Sequence, residues 1–298
     1  MNNNKQIIAI ASGKGGVGKS VLLTNIAAGL AMIGKKVIMV DADFGGSNLH
    51  ALLNVAPKGK GFKSLISSER AYIKNRESIQ KTNIPNLWLV HGWDYLGVYG
   101  LNKEKSMNLN KYIDEIKADF VLMDLGPGIG LNTLRLFIKS DIGIVVVTPE
   151  ITSILNALIF IKYVVIKKIS RHIVRHEEMK KLLNRVLSPL MPLTISEMLD
   201  EIKKIDLKKW MFLSDLLKNY KPYVIINCVG KDEGGVEKRF SDYLKKNYLL
   251  NPIILTCIKE SRVVKKSVEK RVPFFIEHPR SRPAENIKII LHKLLYAL

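Results

Sequence analysis

The sequence predicts an α/β fold, a doubly wound and mostly parallel sheet with helices on both faces. Short apolar runs alternate with longer segments of helical periodicity, which is typical of a sheet covered by helices. Most runs are apolar throughout, as expected for strands that are buried on both faces. A glycine-rich loop follows the first run and precedes a helical segment. The predicted strands are Gln6–Ser12, Lys36–Asp41, Leu87–Val90, Phe120–Asp124, Ile142–Thr148, Tyr223–Asn227 and Pro252–Thr256.

Length and composition favour one folded domain that spans 1–298. Of the 298 residues, 47% are hydrophobic and 25% are charged, which is ordinary for a globular protein. The net charge of +20 favours contact with nucleic acid, anionic lipid or an acidic partner. Because the lysines are dispersed along the chain, a solvated basic surface explains the charge equally well. Both interpretations stay open.

The chain carries no signal for export or membrane insertion. Its first apolar run is too short for a signal peptide, and no uncharged stretch reaches the roughly 18 residues of a membrane span. We therefore expect a cytoplasmic protein, with a peripheral place on the inner face of the cell membrane as an alternative. Cys228 and Cys257 have neither CxxC spacing nor a suitably placed histidine, so we expect two buried free thiols.

One connection between predicted strands is longer than a crossover requires. The segment 150–221 is more than twice the length of a whole βαβ unit of about 30 residues. Within it, TISE (Thr194 to Glu197) predicts a capping box that opens a helix. The run Ile154–Ile166 is apolar around most of its helix and should be covered, most simply by packing within the chain. From Lys162 to Lys221 there are 14 Lys or Arg against 7 Asp or Glu, so this helical insertion is basic.

The loop GKGGVGKS matches the phosphate-binding pattern G-x-x-x-x-G-K-[ST], between a predicted strand and a predicted helix. Its glycines let backbone N–H groups face phosphate oxygens, and the helix presents its positive end to the same anion. Lys19 should reach the β- and γ-phosphates, and Ser20 should ligate Mg²⁺. The nucleotide-binding residues predicted here are Gly13, Gly15, Gly16, Val17, Gly18, Lys19, Ser20 and Val21.

Three aspartates follow predicted strands and should complete the metal and water site. VDADFGG contains Asp41 and Asp43, and MDLGPG contains Asp124. Asp124 ends an apolar strand, as the Mg²⁺ aspartate of this loop class does, although a carboxylate capping the next turn is the alternative. Asp43 lies further past its strand and should orient water, whereas Asp41 should support the loop and the metal. The predicted metal site is therefore Ser20, Asp41 and Asp124.

The phosphate loop has a second lysine, Lys14, one residue after its first glycine. At this position the side chain should point out of its own loop. It is either a solvated lysine or a group that reaches the nucleotide of a second subunit, as an arginine finger does. Unit charges about 4 Å apart interact by roughly 4 kcal/mol at an effective dielectric near 20, enough to make dimerisation depend on the nucleotide.

These motifs resemble the MinD/ParA family of P-loop ATPases, whose phosphate loop is a deviant Walker A motif with an early lysine. KGGVGKS resembles that loop, DADFGGSNLH the first switch and DLGPG the second, and IVVVTPEITSILNA the strand and helix that follow. The resemblance covers the sheet from end to end and is interrupted by the helical insertion. Within the family the chain is similar to the flagellar-number regulator FlhG and to MinD-like relatives.

The resemblance implies a role for each matching residue. Lys14 would be the signature lysine that acts across a dimer, and Lys19 the phosphate lysine. Ser20 would ligate Mg²⁺, Asp43 would be the catalytic aspartate and Asp124 the Walker B aspartate. The catalytic residues implied in this way are Lys14, Lys19, Asp43 and Asp124.

The family's adenine contacts fall on an asparagine that ends a late strand and on a proline-containing loop further on. Asn227 and Pro273 match those places, although a buried polar cap is the alternative for Asn227. The second switch reads DLGPG where many relatives carry D-x-P-A-G. This difference puts in doubt whether Gly126 and Gly128 meet the γ-phosphate as the matching residues of those relatives do. Gly128 is included among the nucleotide-binding residues.

The resemblance also implies a function. We expect an ATP- and Mg²⁺-dependent dimerisation switch that hydrolyses ATP slowly and positions cellular machinery, such as flagella, the division site or chromosomes. Its partners would be a second copy of the chain, an unidentified activating protein, and a membrane or nucleoid surface touched by basic residues. The alternatives are a DNA-bound partitioning ATPase and a scaffold that uses nucleotide structurally and the helical insertion as a binding surface.

Overall fold

One mixed sheet forms the centre of the computed structural model, which describes residues 5–43, 45–58, 78–92, 103–188, 193–230 and 234–296. Among these residues eight strands are arranged in the order β3-β4-β2-β5-β1-β6-β7-β8. Every neighbouring pair is parallel except β3 and β4, which are antiparallel. The strands are β1 Gln6–Ala11, β2 Val37–Ala42, β3 Gln80–Lys81, β4 Leu87–Val90, β5 Phe120–Leu125, β6 Ile142–Val147, β7 Tyr223–Val229 and β8 Ile253–Lys259.

The predicted fold class is confirmed, and all seven predicted strands are present. The strand that the sequence did not reveal is β3, a two-residue edge strand that is too short to show any pattern. The last two strands run longer than predicted, to Val229 and Lys259. Their pairing is interrupted by register shifts, which the apolar pattern alone does not encode.

Helices cover both faces of the sheet. Their bounds are α1 Lys19–Met32, α2 Leu49–Leu52, α3 Lys103–Glu115, α4 Leu131–Lys139, α5 Ile151–Ile173, α6 Glu177–Leu187, α7 Ile195–Ile205, α8 Leu207–Asn219, α9 Val236–Tyr248, α10 Arg262–Lys270, α11 Phe274–Glu277 and α12 Arg282–Tyr296. On one face α1, α2, α11 and α12 share a hydrophobic cluster with Ile8 and Ile10 of β1. On the other face α3 to α9 contribute to the cluster that contains Ile7 and Ala9, because successive strand residues point to opposite sides.

Helices α5 to α8 lie between β6 and β7, over the segment predicted to be a helical insertion, 150–221. The apolar run in α5 is covered from within the chain as predicted, since Phe160, Ile161 and Val164 are fully buried in the same hydrophobic cluster as the sheet. The predicted capping box is present at the start of α7. The Thr194 N–H donates to Glu197 Oε2 at 2.7 Å, and the Glu197 N–H donates to Thr194 Oγ1 at 3.1 Å.

The expectation of two buried thiols is wrong. Both cysteines are free, but Cys228 is exposed and Cys257 is half-buried. The backbone at Cys228 takes a left-handed conformation, with φ of 55°, where the pairing of β7 and β8 is irregular. This local twist turns the side chain away from the core. Within the described residues, none of the helices is both long and apolar enough to cross a membrane.

Candidate nucleotide-binding site

The phosphate loop connects β1 to α1 at the carboxyl edge of the sheet, where ligands bind in this class of fold. Gly16 and Gly18 have φ angles of 78° and 91°, which only glycine adopts readily. They allow the chain to turn sharply before α1, which begins at Lys19. Lys19 is buried although it is charged. The backbone N–H groups at this end of α1 and the Lys19 ammonium can together bind phosphate.

Two glycines allow the loop to approach other parts of the chain. A Cβ atom on Gly13 would lie 2.1 Å from the backbone carbonyl of Asn156 in α5. A Cβ atom on Gly18 would lie 2.5 Å from Asn227 Nδ2. The first glycine thus lets α5 pack directly against the phosphate loop, a constraint that the motif alone does not show.

Asp41 and Asp124 are paired neighbours on β2 and β5, and both are buried. Asp41 is bound by its own loop, since Oδ2 accepts hydrogen bonds from Ser47 Oγ at 2.6 Å and from the Leu49 N–H at 3.0 Å. Burial raises the pKa of Asp41, although these hydrogen bonds oppose the shift. The geometry fits the predicted supporting role of Asp41 in the loop.

Asp124 is available to a metal ion. Its carboxylate accepts a hydrogen bond from the Ser20 hydroxyl, and no donor among the described residues reaches its buried Oδ1. Burial raises the pKa of Asp124 to about 7, while Ser20 and Lys19 lower it and Asp41 raises it further. A buried carboxylate oxygen without a partner, beside a hydroxyl, suits Mg²⁺, which takes one or two protein ligands and completes its shell with phosphate oxygens and water.

The described residues contain no cluster of three or more His, Cys, Asp or Glu side chains that could hold a metal by themselves. Ser20 and Asp124 are the two predicted ligands that the structure brings together, whereas both Asp41 oxygens already accept hydrogen bonds from its own loop.

Asp43 belongs to the first predicted switch and lies close to the second. The Gly45 N–H donates to its Oδ1 at 3.3 Å, and a Cβ atom on Gly126 would lie 3.1 Å from the same oxygen. The second switch also contacts the phosphate loop, because the Gly128 N–H donates to the Ser12 carbonyl at 2.9 Å. The Asp43 carboxylate thus lies where the two predicted switches meet, and its water-orienting role stays a prediction.

Lys14 points out of its own loop as predicted, but it is not simply solvated. Its Nζ lies 2.9 Å from Glu150 Oε2 and 3.2 Å from Thr152 Oγ1, at the start of α5. The Lys14 and Glu150 side chains are 42% and 63% exposed. Sequence reasoning missed Glu150 and Thr152, although both belong to the segment TPEIT that directly follows β6. In the single chain the second lysine is therefore held by an exposed ion pair.

The two residues predicted to bind adenine have different contacts in the structure. Asn227 is buried, and its Nδ2 donates to the Val17 carbonyl at 2.9 Å, so it braces the phosphate loop. Pro273 lies beside α1, where it shares a small pocket with Val21 and Asn25. It also lines a mainly apolar cavity of about 500 Å³ next to the C-terminal half of α1. The adenine contacts of both residues stay predictions.

Comparison with known proteins places these motifs in a family. A family model described as an AAA domain matches residues 5–179, more than half of the chain. The chain is 30% identical over 152 residues to the septum site-determining protein MinD of Synechocystis sp., which is 51% of this chain and 56% of that protein. It is 34% identical over 165 residues to the flagellum site-determining protein YlxH of Helicobacter pylori, 53% of each. The chain thus spans about half the length of these curated relatives.

The solved structures extend the similarity to the whole fold. MinD of Pyrococcus horikoshii, complexed with Mg-ADP, superposes with a TM-score of 0.64 at 20% sequence identity. The alignment covers 97% of this chain and 96% of that one, so the fold is shared from end to end. With its phosphate loop, its paired aspartates and these matches, the chain belongs to the MinD/ParA family of P-loop ATPases.

Proposed function

We propose that this protein is an ATP-driven dimerisation switch that hydrolyses ATP slowly and positions cellular machinery. The observation that carries the proposal is the ion pair of Lys14 with Glu150, which holds a second cation at the rim of a complete phosphate site. A triphosphate needs only Lys19 from its own loop. A second lysine at the rim is suited to a nucleotide bound by a neighbouring copy.

Each residue of the site has a chemical task in this proposal. The loop N–H groups and Lys19 bind and orient the β- and γ-phosphates, and Ser20 and Asp124 hold Mg²⁺, which neutralises phosphate charge when bound. Asp43 orients the attacking water from the junction of the switches. Asn227 braces the loop through Val17. The Gly128 hydrogen bond to Ser12 links the second switch to the phosphate loop, and the lack of a side chain at Gly126 leaves room for Asp43, so in this proposal the second switch senses the γ-phosphate.

The energies favour an exchange of partners for Lys14. An exposed ion pair such as Lys14–Glu150 contributes about 0–1 kcal/mol. The Coulomb attraction between unit charges 4 Å apart is roughly 4 kcal/mol at an effective dielectric near 20, before the cost of desolvation, and a triphosphate carries several negative charges where Glu150 carries one. In this proposal release from Glu150 costs little, and the multiply charged nucleotide of the second copy attracts Lys14 more strongly. Without nucleotide the exchange has no gain, so the chain should stay monomeric.

The cellular role is proposed from the relatives. The curated proteins that the chain matches are named for determining the septum site and the flagellum site. The same switch would need a partner that accelerates hydrolysis, because slow turnover alone leaves the dimer closed. Localisation of a fluorescently tagged copy in cells tests this role, since pole, septum or nucleoid foci support it and uniform fluorescence contradicts it.

The biochemical proposal is tested by turnover and by oligomeric state. The wild-type protein should hydrolyse ATP slowly, and Lys19→Ala should abolish turnover. Asp43→Ala should bind ATP without hydrolysing it and accumulate as a dimer in sedimentation velocity. An Asp43→Ala protein that remains monomeric at saturating ATP and Mg²⁺ would refute the switch.

A further inference from the structure

A cavity of about 500 Å³ lies at the end of α1 that is far from the phosphate loop. Among its lining residues, Asn86 directly precedes β4 and Met32 ends α1, so the cavity lies at the amino edge of the sheet. With 14 residues, α1 spans about 21 Å. The phosphate loop lies at the opposite, carboxyl edge, so the cavity has no part in binding the phosphates and needs a separate explanation.

The cavity has the size and the lining of a small-molecule site. Sites for drug-sized ligands are clefts of about 300–1,000 Å³ that are mostly apolar, with a few polar groups that fix the ligand. Eight of the twelve described residues that line this cavity are apolar, and they come from α1, α11, the loops after α2 and α10, and the turn between β3 and β4. The four polar residues are Asn54, Asn83, Asn86 and Arg271.

Hydrogen bonds hold the walls of the cavity together. Asn86 Nδ2 donates to the Ala31 carbonyl at 3.4 Å, and the Asn86 carbonyl accepts the Val37 N–H at 2.9 Å. On the other wall the buried Phe275 N–H donates to Asn25 Oδ1 at 2.8 Å, which fixes α11 against α1. The fold itself therefore forms the cavity, and no ligand is needed to open it.

Three of the four polar lining residues have a backbone conformation that is unusual outside glycine. The φ angles of Asn54, Asn86 and Arg271 are 51°, 62° and 57°. Asparagine adopts this left-handed region more readily than most residues, but arginine does not. Arg271 follows α10 at the position where glycine is usual, and Lys270 already supplies the cation that a helix end favours. An arginine kept where glycine would be less strained indicates that its side chain has a role besides folding.

Arg271 is the one charged residue among the described residues that line the cavity, and it has no acidic partner there. It is exposed, and none of the ion pairs within the described part of the chain includes it. Glu277 pairs with Lys270, and Glu269 is exposed outside the lining. An unpaired guanidinium attracts an anion, and its planar fork matches a carboxylate through two parallel hydrogen bonds.

The helix ends beside the cavity decide between possible head groups. The carboxyl ends of α1 and α10 lie there, and such ends carry partial negative charge. Their carbonyls are used within the chain, since the Lys35 N–H donates to Leu30 at 3.2 Å and the Val272 N–H to Ser267 at 3.1 Å. These carbonyls therefore offer little to an amine, and their partial charge opposes a doubly charged phosphate beside a single cation. One carboxylate balances one guanidinium.

We propose that this cavity binds a small amphipathic carboxylate. The apolar body of the ligand lies against Met32, Ile84 and Ile276, and its carboxylate accepts hydrogen bonds from Arg271 at the mouth of the cavity. The side-chain amides of the lining asparagines can bind further polar atoms of the ligand. This site is separate from ATP binding and dimerisation and does not rest on either.

The test is binding of a panel of carboxylates to the purified full chain without nucleotide, followed by thermal unfolding and by isothermal titration calorimetry. The panel consists of octanoate, decanoate, phenylbutyrate and naphthylacetate, each compared with its primary amide, which keeps the apolar body and lacks the charge. At least one carboxylate should bind and raise the melting temperature, because a ligand that binds only the folded chain stabilises it. It should bind about tenfold or more tightly than its amide, which cannot form the charged hydrogen bonds.

Arg271→Gly removes the guanidinium and relieves the backbone at the same position. The variant should melt at the wild-type temperature or higher, because glycine suits the left-handed conformation after a helix. It should bind the carboxylate no more tightly than the amide. Arg280→Gly is the matched control, since it removes the same side chain from an exposed turn outside the lining, and it should leave the preference for the carboxylate unchanged.

Met32→Glu tests the apolar wall of the cavity. Met32 is 59% exposed at the end of α1, so its replacement leaves the core intact while it places a like charge beside the bound carboxylate. Binding should weaken by about tenfold or more, because apolar contact is lost and the two carboxylates repel each other. Met211→Glu, at a residue that is 58% exposed in α8, makes the same change away from the cavity and should leave binding unchanged.

Several results would overturn the proposal. These are no stabilisation by any carboxylate of the panel, equal binding of acids and amides, equal losses in Arg271→Gly and Arg280→Gly, and a lower melting temperature of Arg271→Gly. Displacement of a bound carboxylate by adenosine would also overturn it, because the cavity would then be the adenine site predicted from Pro273. A nucleotide-free dimer that Met32→Glu dissociates would show that a second copy fills the cavity instead. None of these measurements uses ATP, so the proposed switch stands or falls separately.

Discussion

Lys14 has two possible partners, and its position in the single chain shows which one it takes when no second copy is present. Glu150 and Thr152 bind its ammonium group at the start of α5, so the Lys14 side chain is held beside its own phosphate loop. Glu150 also lies at the positive end of a 23-residue helix, where a carboxylate is favoured. The acidic residue therefore loses little when Lys14 leaves.

Replacing Glu150 with Gln tests whether the ion pair with Glu150 competes with dimerisation for Lys14. The exposed pair contributes little to folding, so the free energy of unfolding in urea should fall by less than about 1 kcal/mol. Because Lys14 no longer has to leave an ionic partner, dimerisation in the Asp43→Ala background should need several-fold less protein at saturating ATP. Light scattering over a concentration series measures the protein concentration at which half of the chains are dimeric. If that concentration is unchanged or higher in the variant, Glu150 does not compete for Lys14.

A second prediction at the residue scale concerns the close approach of Gly13 to α5. Gly13→Ala should lower the free energy of unfolding by about 1–3 kcal/mol, because its Cβ would overlap the Asn156 carbonyl and push α5 from the loop. Gly15→Ala is the matched control, since no described atom lies within 4 Å of the added methyl. Urea unfolding without nucleotide compares the two. Equal effects would mean that the close approach of α5 does not constrain the fold.

At the scale of elements, α5 extends from the phosphate loop to the helices that follow it, α6 to α8. One side of the helix is buried against the sheet, and Ile151, Leu155 and Ile159 are exposed along the other. The sequence predicts this helix and its internal cover from the apolar run, and it predicts α7 from the capping box. The sequence does not predict which side chains of the run are exposed to solvent. Their exposure depends on how α4, α6 and α9 pack around α5, which is a tertiary effect.

Two adjacent residues of α5 separate its two sides. Phe160 is fully buried and makes an edge contact with Phe137, with ring centres 4.9 Å apart, so Phe160→Ala should cost about 3–5 kcal/mol of folding free energy. Ile159→Ala, on the exposed side, should change it by less than about 0.5 kcal/mol. Thermal and urea unfolding of both variants measure the difference. Similar losses would show that the exposed side is covered in solution.

For the whole molecule, the order of motifs along the chain is enough to predict the sheet, its central strands and the phosphate site. Each of those features rests on residues that are close in sequence and follow a strand. What the sequence leaves open depends on long-range contacts. Lys14 and Glu150 are 136 residues apart, and no local pattern connects them. The exposed Cys228 and the edge strand β3 likewise depend on strand pairing at the margins of the sheet.

The measurement that tests the central claim most directly is sedimentation velocity of Asp43→Ala and of Asp43→Ala/Lys14→Ala, each with saturating ATP and Mg²⁺. The first protein should sediment as a dimer. The second should bind ATP as tightly, because Lys14 lies outside its own phosphate site, yet remain a monomer. A double variant that dimerises as well as Asp43→Ala would contradict the claim that each copy lends its second lysine to the nucleotide of the other.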